Sequence, residues 1–392
     1  MNPVVTISGG GIIGNYISLR LNRNSIESVV IEKSKDKTSA KENIRTVTLN
    51  PFSKKLLDEV GIKIPYAEIK NINVFDGEGT GSIDFSSDEI NEDHLSYVVY
   101  FNDLEAALKE NVFKKTFFET EIKNFKENIN NGKCEITLSN EKPIFSTFLA
   151  GCDGRNSNVA KLASLKPVTS DYEQTAITFT ASSNLINSYT AYQIFSERGI
   201  FAIMPLPASS DKSSHTIVWS VDNLKIGTQN IEGYIKENIS YFEKKLKADI
   251  TINSNILSFS LSNHHFENYV TGSIVLIGDA AHSIHPLAGQ GINLGFADAD
   301  AFCEEITNAY QNKINIDKHL VLKRYEVRRK NMNLLMLKSM DFFVNLFKSN
   351  NLYIKLIRNF GLSGINKTQF IKRFFINLLQ VRIRYNDSAH LK

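Results

Sequence analysis

The sequence contains little cysteine and no long apolar run, and both features restrict the class of protein. Its 392 residues include three cysteines, Cys134, Cys152 and Cys303, far apart and without CxxC spacing. This spacing gives neither a disulfide framework nor a zinc-binding pattern, and it fits a reducing compartment. No apolar run approaches the roughly 20 residues of a membrane-spanning helix, and no secretory signal pattern is found. We therefore expect a cytoplasmic protein.

Neither sign of charge is in large excess over the whole chain, but the basic residues are unevenly distributed. The net charge is +3, whereas residues 323–392 contain fifteen Lys and Arg against three acids, together with apolar residues at helical spacing. The pattern predicts a basic helical region. It either packs on the body with a solvated basic face, or contacts anionic lipid or an acidic partner at the inner membrane surface. Nucleic acid is not expected, since no binding motif accompanies the charge.

The N-terminal residues combine a short apolar strand with a glycine-rich turn. Residues 4–8 lead into GGGIIG, a helical pattern follows, and a second strand ends at Glu32. In such a βαβ unit Gly9, Gly11 and Gly14 allow the tight turn, the close approach of a pyrophosphate and helix–strand packing, while Glu32 binds ribose hydroxyls. The pattern predicts dinucleotide binding; the alternative is a glycine-rich turn without a ligand.

The most informative stretch is GDAAHSIHPLAGQGINLG, residues 278–295, between a strand-like run and a helix-like segment beginning near Asn293. The Asp279 carboxylate can accept hydrogen bonds from sugar-like hydroxyls, and glycines at a helix start let backbone N–H groups approach an anionic or polar ring. The stretch therefore suits a large, partly anionic cofactor. For His282 and His285 we prefer a hydrogen bond that stabilises the motif over a role as catalytic base.

Two further segments indicate how the chain is organised. Residues 148–157, FLAGCDGRNS, predict a buried strand, an Asp-Gly turn next to the cofactor and a helix beginning near Ser157. From about residue 175 to 261 strand patterns dominate, interrupted by one helix over 231–246, and Trp219 is expected in the core. The length of the chain favours two domains, with a mostly β domain inserted into the nucleotide-binding domain.

Together these motifs resemble the FAD-dependent aromatic monooxygenases of the p-hydroxybenzoate hydroxylase fold. The segment HPLAGQGINLG, residues 285–295, closely matches the ubiquinone-biosynthesis hydroxylase subfamily, and the similarity covers nearly the whole chain. It implies an α/β fold: a Rossmann-type FAD-binding domain, an inserted mostly β substrate domain and C-terminal helices. The expected division is residues 1–75, 98–170 and 266–345 for the FAD-binding domain, 76–97 and 171–265 for the substrate domain, and 346–392 for the C-terminal basic helical region.

The resemblance also implies which residues bind FAD. The pyrophosphate, ribose and phosphate contacts, and the region linked to NAD(P)H use, fall on Gly9, Gly11, Gly14, Glu32, Arg45 and Asp153. The ribityl chain and the isoalloxazine ring fall on Gly278, Asp279, Pro286, Gly289, Gly291, Ile292 and Asn293. The sequence departs from the family where an Arg is replaced by Asn102, and where Ala160 followed by Lys161 ends the Asp-Gly motif. These departures leave the cofactor affinity and the choice between NADH and NADPH open.

No Ser/His/Asp nucleophile, metal cluster or acid–base carboxylate pair is evident, which favours chemistry carried by a cofactor. The resemblance implies that NAD(P)H, FAD and O2, through a flavin C4a-hydroperoxide, hydroxylate the ring of a polyprenylated phenol in ubiquinone biosynthesis. Other ubiquinone-biosynthesis proteins and a peripheral membrane contact are the expected partners. Two alternatives are a hydroxylase of a soluble aromatic substrate and a catalytically silent flavin-binding subunit of a biosynthetic complex.

Overall fold

A computed structural model describes residues 2–35, 44–128, 133–140, 142–185, 189–207, 213–285, 289–311 and 318–348. Pro286 and nearly all of the basic region expected at 346–392 lie outside these ranges. Within them the α-helices are α1 (Ile12–Arg23), α2 (Pro51–Glu59), α3 (Phe101–Val112), α4 (Asn158–Leu162), α5 (Asn223–Ile226), α6 (Ile231–Leu246), α7 (Gln290–Gln311) and α8 (Lys318–Lys348).

The strands form four sheets. They are β1 (Val5–Ser8), β2 (Ser28–Ile31), β3 (Thr46–Leu49), β4 (Ala67–Ile69), β5 (Asn71–Asp76), β6 (Ser82–Ser86), β7 (Ser96–Tyr100), β8 (Thr116–Phe117), β9 (Ile122–Asn128), β10 (Lys133–Leu138), β11 (Pro143–Ser146), β12 (Phe148–Gly151), β13 (Pro167–Ser183), β14 (Thr190–Ser196), β15 (Gly199–Pro205), β16 (Ser214–Asp222), β17 (Ile250–Ile252), β18 (Leu257–Phe266), β19 (Val270–Thr271), β20 (Ile274–Leu276) and β21 (His282–Ser283).

A six-stranded sheet of order β19-β20-β12-β1-β2-β8 forms the nucleotide-binding core. Strands β20, β12, β1, β2 and β8 run parallel, and every residue of β1, β2 and β12 is buried. Strands covered on both faces require such continuous apolar runs. Because parallel strands end at the same edge, the glycine-rich turn after β1, Glu32 after β2 and Asp153 after β12 meet there.

The second large sheet has nine strands, in the order β21-β18-β13-β16-β15-β14-β5-β6 with β17 beside β13. It is antiparallel except where β14 pairs with β5. One face packs on α6, and there Trp219 is fully buried with its ring centroid 4.9 Å from that of Phe242. The expectation that Trp219 belongs to the core is confirmed.

Helices α7 and α8 pack against each other beside the six-stranded sheet. The sequence pattern placed the start of α7 near residue 293, whereas it begins at Gln290 and continues to Gln311. Gly289, at φ +64°, immediately precedes it, and Gly291 lies in its first turn. Among the helices of the described ranges, none has the length and apolarity needed to cross a bilayer.

Candidate flavin site

One cavity of about 750 Å³ is lined by both large sheets and by the start of α7. The structure brings most of the predicted site residues to its wall. These are Gly9, Gly11, Glu32, Arg45, Asp153, Asp279, Gly289, Gly291, Ile292 and Asn293. Gly14 and Gly278 lie behind the wall, and Pro286 lies outside the described residues. Asn102, on α3, is not among the lining residues that the structure describes.

The three glycines of the first turn are required for different reasons. A Cβ on Gly9, at φ +102°, would lie 2.5 Å from the carbonyl oxygen of Cys152, and a Cβ on Gly14 would lie 2.0 Å from that of Gly9. Only glycine fits these two positions. Around a Cβ on Gly11, by contrast, the described chain places no heavy atom within 4 Å. Gly11 therefore leaves its backbone open to the cavity, as the close approach of a pyrophosphate requires.

Glu32 is oriented by the turn itself. Its Oε2 accepts a hydrogen bond from the backbone N–H of Gly10 at 2.7 Å, and its Oε1 accepts one from that of Ser34 at 2.7 Å. These bonds hold the carboxylate beside the glycine-rich turn at the cavity wall, where it has lone pairs left for ribose hydroxyls.

Asp153 has a structural task that the sequence did not reveal. Its Oδ1 accepts from the Ser157 hydroxyl at 2.6 Å, and its Oδ2 accepts from the backbone N–H groups of Asn158 and Val159 at 2.8 and 3.1 Å. Ser157, the N-cap of α4, accepts in turn from the N–H of Ala160. A carboxylate at a helix N-terminus satisfies free N–H groups and opposes the positive end of the helix dipole. Asp153 thus fixes the loop that lines the cavity.

Two side chains of opposite charge, Asp279 and Arg45, line the cavity. Asp279 is exposed to it, and desolvation raises the pKa of this carboxyl, although His282, Arg45 and Arg155 oppose the rise. The Arg45 guanidinium lies 4.1 Å above the Phe101 ring, and burial lowers its pKa while Asp279 raises it. A hydroxyl-accepting carboxylate and a phosphate-binding cation are thus available within one cavity.

The first turn of α7 is tied to β3 by Asn293, which is only 1% exposed. Its Oδ1 accepts from the backbone N–H of Asn50, and its Nδ2 donates to the carbonyl oxygen of Thr48, both at 2.9 Å. Around a Cβ on Gly291 the described chain again leaves 4 Å of open space. The free N–H groups at the helix start therefore face a cavity that can hold a flat, electron-rich ring.

Behind Asp279 lies a buried ionic network that the sequence analysis missed. Asp298 Oδ2 accepts from His282 Nε2 at 2.5 Å and from the Gly278 N–H at 3.3 Å, and its Oδ1 accepts from Arg329 Nε at 2.7 Å and from Asn333 Nδ2 at 3.0 Å. Burial raises the pKa of Asp298, but the charges of His282 and Arg329 and these hydrogen bonds outweigh it and bring the pKa to about 2. The network joins α7 and α8 to the loop that presents Asp279.

The histidines of the motif have structural partners. Besides the contact of His282 with Asp298, His285 Nε2 bonds Gln174 Oε1 at 2.9 Å and the ring meets that of Tyr172 edge-on at 4.9 Å. Because an amide oxygen only accepts, His285 donates from Nε2. Burial lowers the pKa of His285 to about 4, so its imidazole is neutral near pH 7. Burial also raises the pKa of the Cys152 thiol, which favours its less nucleophilic protonated form.

Comparison with known proteins agrees with this site. The family model described as "FAD binding domain" matches residues 2–338. The ubiquinone biosynthesis monooxygenase COQ6 of Dictyostelium discoideum is 26% identical over 450 residues, covering 95% of this chain and 90% of that protein. The 3-demethoxyubiquinol 3-hydroxylase of Escherichia coli is 26% identical over 382 residues, covering 94% of this chain and 96% of that protein.

Solved structures share the fold. Klebsiella pneumoniae HpxO, complexed with FAD and uric acid, aligns with a TM-score of 0.77 at 14% identity, covering 97% of each chain. The p-nitrophenol 4-monooxygenase PnpA of Pseudomonas putida aligns with a TM-score of 0.76 at 16% identity, covering 97% of this chain and 98% of that chain. The predicted fold class, the FAD cofactor and the assignment to the FAD-dependent monooxygenases are confirmed. The chain belongs to the FAD-binding domain family.

Proposed function

We propose that this protein hydroxylates the aromatic ring of a polyprenylated phenol in ubiquinone biosynthesis, with NAD(P)H and O2 as co-substrates. The main support is the second wall of the cavity. Opposite the predicted FAD residues, the nine-stranded sheet contributes a largely apolar surface that includes Ile72, Val74, Phe85, Ala202, Met204 and Val218. The names of the COQ6 and 3-demethoxyubiquinol 3-hydroxylase relatives support the same substrate class.

The position of the charges supports a neutral substrate. The charged side chains found on the described cavity wall all belong to segments outside the nine-stranded sheet: Glu32, Lys33, Arg45, Glu121, Asp153, Arg155 and Asp279. On the sheet the polar groups are neutral, such as Thr178, Gln193 and Ser220. Burying an unpaired carboxylate against such a wall costs a free energy of roughly several kcal/mol. A phenol with an apolar substituent is therefore a better ligand than a charged aromatic acid.

The residues of the site would bind the cofactor, stabilise negative charge and exclude water. Bound FAD supplies the redox chemistry that activates O2. Gly9, Gly11 and Glu32 would hold its nucleotide end, and Arg45 would neutralise phosphate charge. The N–H groups at the start of α7 would hold the flavin ring and favour negative charge there, and the largely apolar sheet wall would exclude water from the reacting atoms.

The division into domains and the residues around the flavin follow from this function. We propose the domain division given above, with the nine-stranded sheet as the substrate domain and Gly278, Asp279, Pro286, Gly289, Gly291, Ile292 and Asn293 as the residues around the flavin. Action at the cytoplasmic face of a membrane, with other ubiquinone-biosynthesis proteins nearby, would give a lipid substrate access to this cavity.

Two measurements test the function. The purified yellow protein should oxidise NAD(P)H faster when a 2-prenylphenol is added, and mass spectrometry should find one oxygen atom added to the ring. A strain lacking the protein should accumulate the unhydroxylated precursor of its quinone. FAD binding without substrate stimulation would favour the silent-subunit alternative, and a normal quinone profile in the deletion strain would overturn the pathway assignment.

A further inference from the structure

The register of the nine-stranded sheet aligns cavity-facing side chains in rows across its strands. One row joins Ala202 on β15, Val218 on β16, Thr178 on β13 and Leu257 on β18. Directly opposite residues on neighbouring strands point to the same face of a sheet. Since Ala202, Val218 and Thr178 line the cavity, Leu257 lies on the same face, at the end of that row.

A second row runs beside the first. It joins Ile200, Ser220, Ala176 and Phe259, of which Ile200, Ser220 and Phe259 line the cavity. Both rows therefore end on β18, at two large apolar side chains two residues apart. Neighbouring strands are about 4.8 Å apart, so each row extends roughly 14 Å from β15 to β18.

Burial changes sharply along β18. Leu261 is 5% exposed and lines the cavity, whereas Phe259 and Leu257 are 44% and 40% exposed. Within the described residues β21 pairs only with His264 and His265 of this strand, so the segment from Leu257 to Leu261 forms an edge of the sheet. A largely apolar face, in which Thr178 and Ser220 are the polar members of the two rows, thus extends from the cavity interior to the protein surface at this edge.

We propose that the edge formed by Leu257 and Phe259 is the exit through which the isoprenoid tail of the substrate leaves the cavity. This inference rests on the proposed function and specifies where its substrate binds. The aromatic head lies by the start of α7, and the tail follows the two rows and passes over β18. Apolar side chains that stay half exposed at the end of a largely apolar wall gain burial when such a tail covers them.

The test uses the FAD-loaded full chain and geranylgeraniol, an isoprenoid alcohol that contains no ring to hydroxylate. In Leu257→Asp and Phe259→Asp, its dissociation constant from calorimetry should rise about tenfold or more, because a charge replaces an apolar contact. Ser258→Asp is the matched control: Ser258 is exposed on the same strand, but its side chain points to the opposite face. The control should change the constant less than about twofold. FAD content and melting temperature are measured to check that all three variants fold.

A labelling experiment gives a second, independent readout. An isoprenoid that carries a terminal photoreactive diazirine should crosslink to the peptide containing residues 257–261 in the unmodified protein. The proposal is overturned if geranylgeraniol does not bind, if Ser258→Asp weakens binding as much as the other two, or if the label maps elsewhere. Oxygen transfer to a 2-prenylphenol is scored separately. Labelling at β18 without hydroxylation refutes the proposed function alone, and hydroxylation with labelling elsewhere refutes the exit alone.

Discussion

Gly11 and Gly14 show how residues of one motif can serve the ligand or the fold. A Cβ on Gly14 would overlap the carbonyl oxygen of Gly9, whereas a Cβ on Gly11 would enter open cavity. Gly14 is therefore required by the protein chain itself, whereas a side chain at position 11 meets an obstacle only when a ligand approaches. The sequence pattern contains both glycines but does not distinguish these causes.

We therefore expect Gly11→Ala and Gly14→Ala to differ. Gly11→Ala should leave the melting temperature of the apoprotein within about 2 °C of the original and weaken FAD binding at least about tenfold. Gly14→Ala should lower the melting temperature of the apoprotein as well, because Gly9 or α1 must move. Thermal unfolding of the apoprotein and fluorescence titration with FAD measure both effects. Equal destabilisation by the two substitutions would contradict this assignment.

Two buried carboxylates on one helix have opposite pKa shifts. Asp298 is paired with His282 and Arg329, and its pKa falls to about 2. Asp300, two residues on, has its pKa raised to about 6 by desolvation and by Glu304, and Arg20 at 3.7 Å only partly opposes this. The first carboxylate stabilises the fold as an anion, whereas the second destabilises it.

Neutralising each carboxylate should therefore change stability in opposite directions at pH 7.5. Asp298→Asn removes the partner of a buried Arg and should cost about 3 kcal/mol. Asp300→Asn removes a poorly compensated buried charge and should gain about 1–2 kcal/mol. Chemical unfolding of the apoproteins measures both. The gain from Asp300→Asn should vanish near pH 4, where the native Asp300 is protonated; a gain that persisted there would have another cause.

Among the secondary-structure elements, the sequence predicted those strands, turns and helix starts that depend on interactions between residues close together in the chain. The βαβ unit, the Asp-Gly turn and the start of α4 at Asn158 were readable because strand ends, glycines and caps are encoded within a few residues. The Asp298 network and the contact between His285 and Gln174, 111 positions apart, were not, because they depend on how distant elements pack. The pairing of residues between neighbouring strands of the nine-stranded sheet could not be predicted for the same reason.

The α4 cap provides a test at this level. Asp153 and Ser157 share one hydrogen-bonded cap, so Asp153→Asn and Ser157→Ala should each cost about 1 kcal/mol of unfolding free energy. The double variant should cost less than the sum, because either change already disrupts the cap. Unfolding of the four proteins completes the cycle. Additive losses would mean that the two side chains act independently and that Asp153 does not fix the loop through α4.

Over the whole molecule, buried titratable groups determine how the fold responds to acid. Desolvation lowers the pKa of both His264 and His285 to about 4, while desolvation raises that of Asp300 to about 6. Desolvation likewise lowers the pKa of His265 and raises that of Asp279. Histidines with lowered pKa values take up protons on unfolding between about pH 4 and 6.5, and a carboxyl with a raised pKa, such as Asp300, releases one between about pH 4 and 6.

The two histidines should outweigh Asp300 between about pH 4 and 6. Near pH 5 the three groups together give a net uptake of roughly one proton on unfolding, so stability falls by about 1.2 kcal/mol per pH unit as the solution is acidified. In Asp300→Asn the opposing release is absent, and the uptake should rise to roughly two protons. The pH dependence of the unfolding free energy of both apoproteins measures these slopes. If stability were flat or rose on acidification, His264 and His285 could not both be neutral in the folded state. If the variant showed no steeper slope, the pKa of Asp300 could not be raised in the folded state.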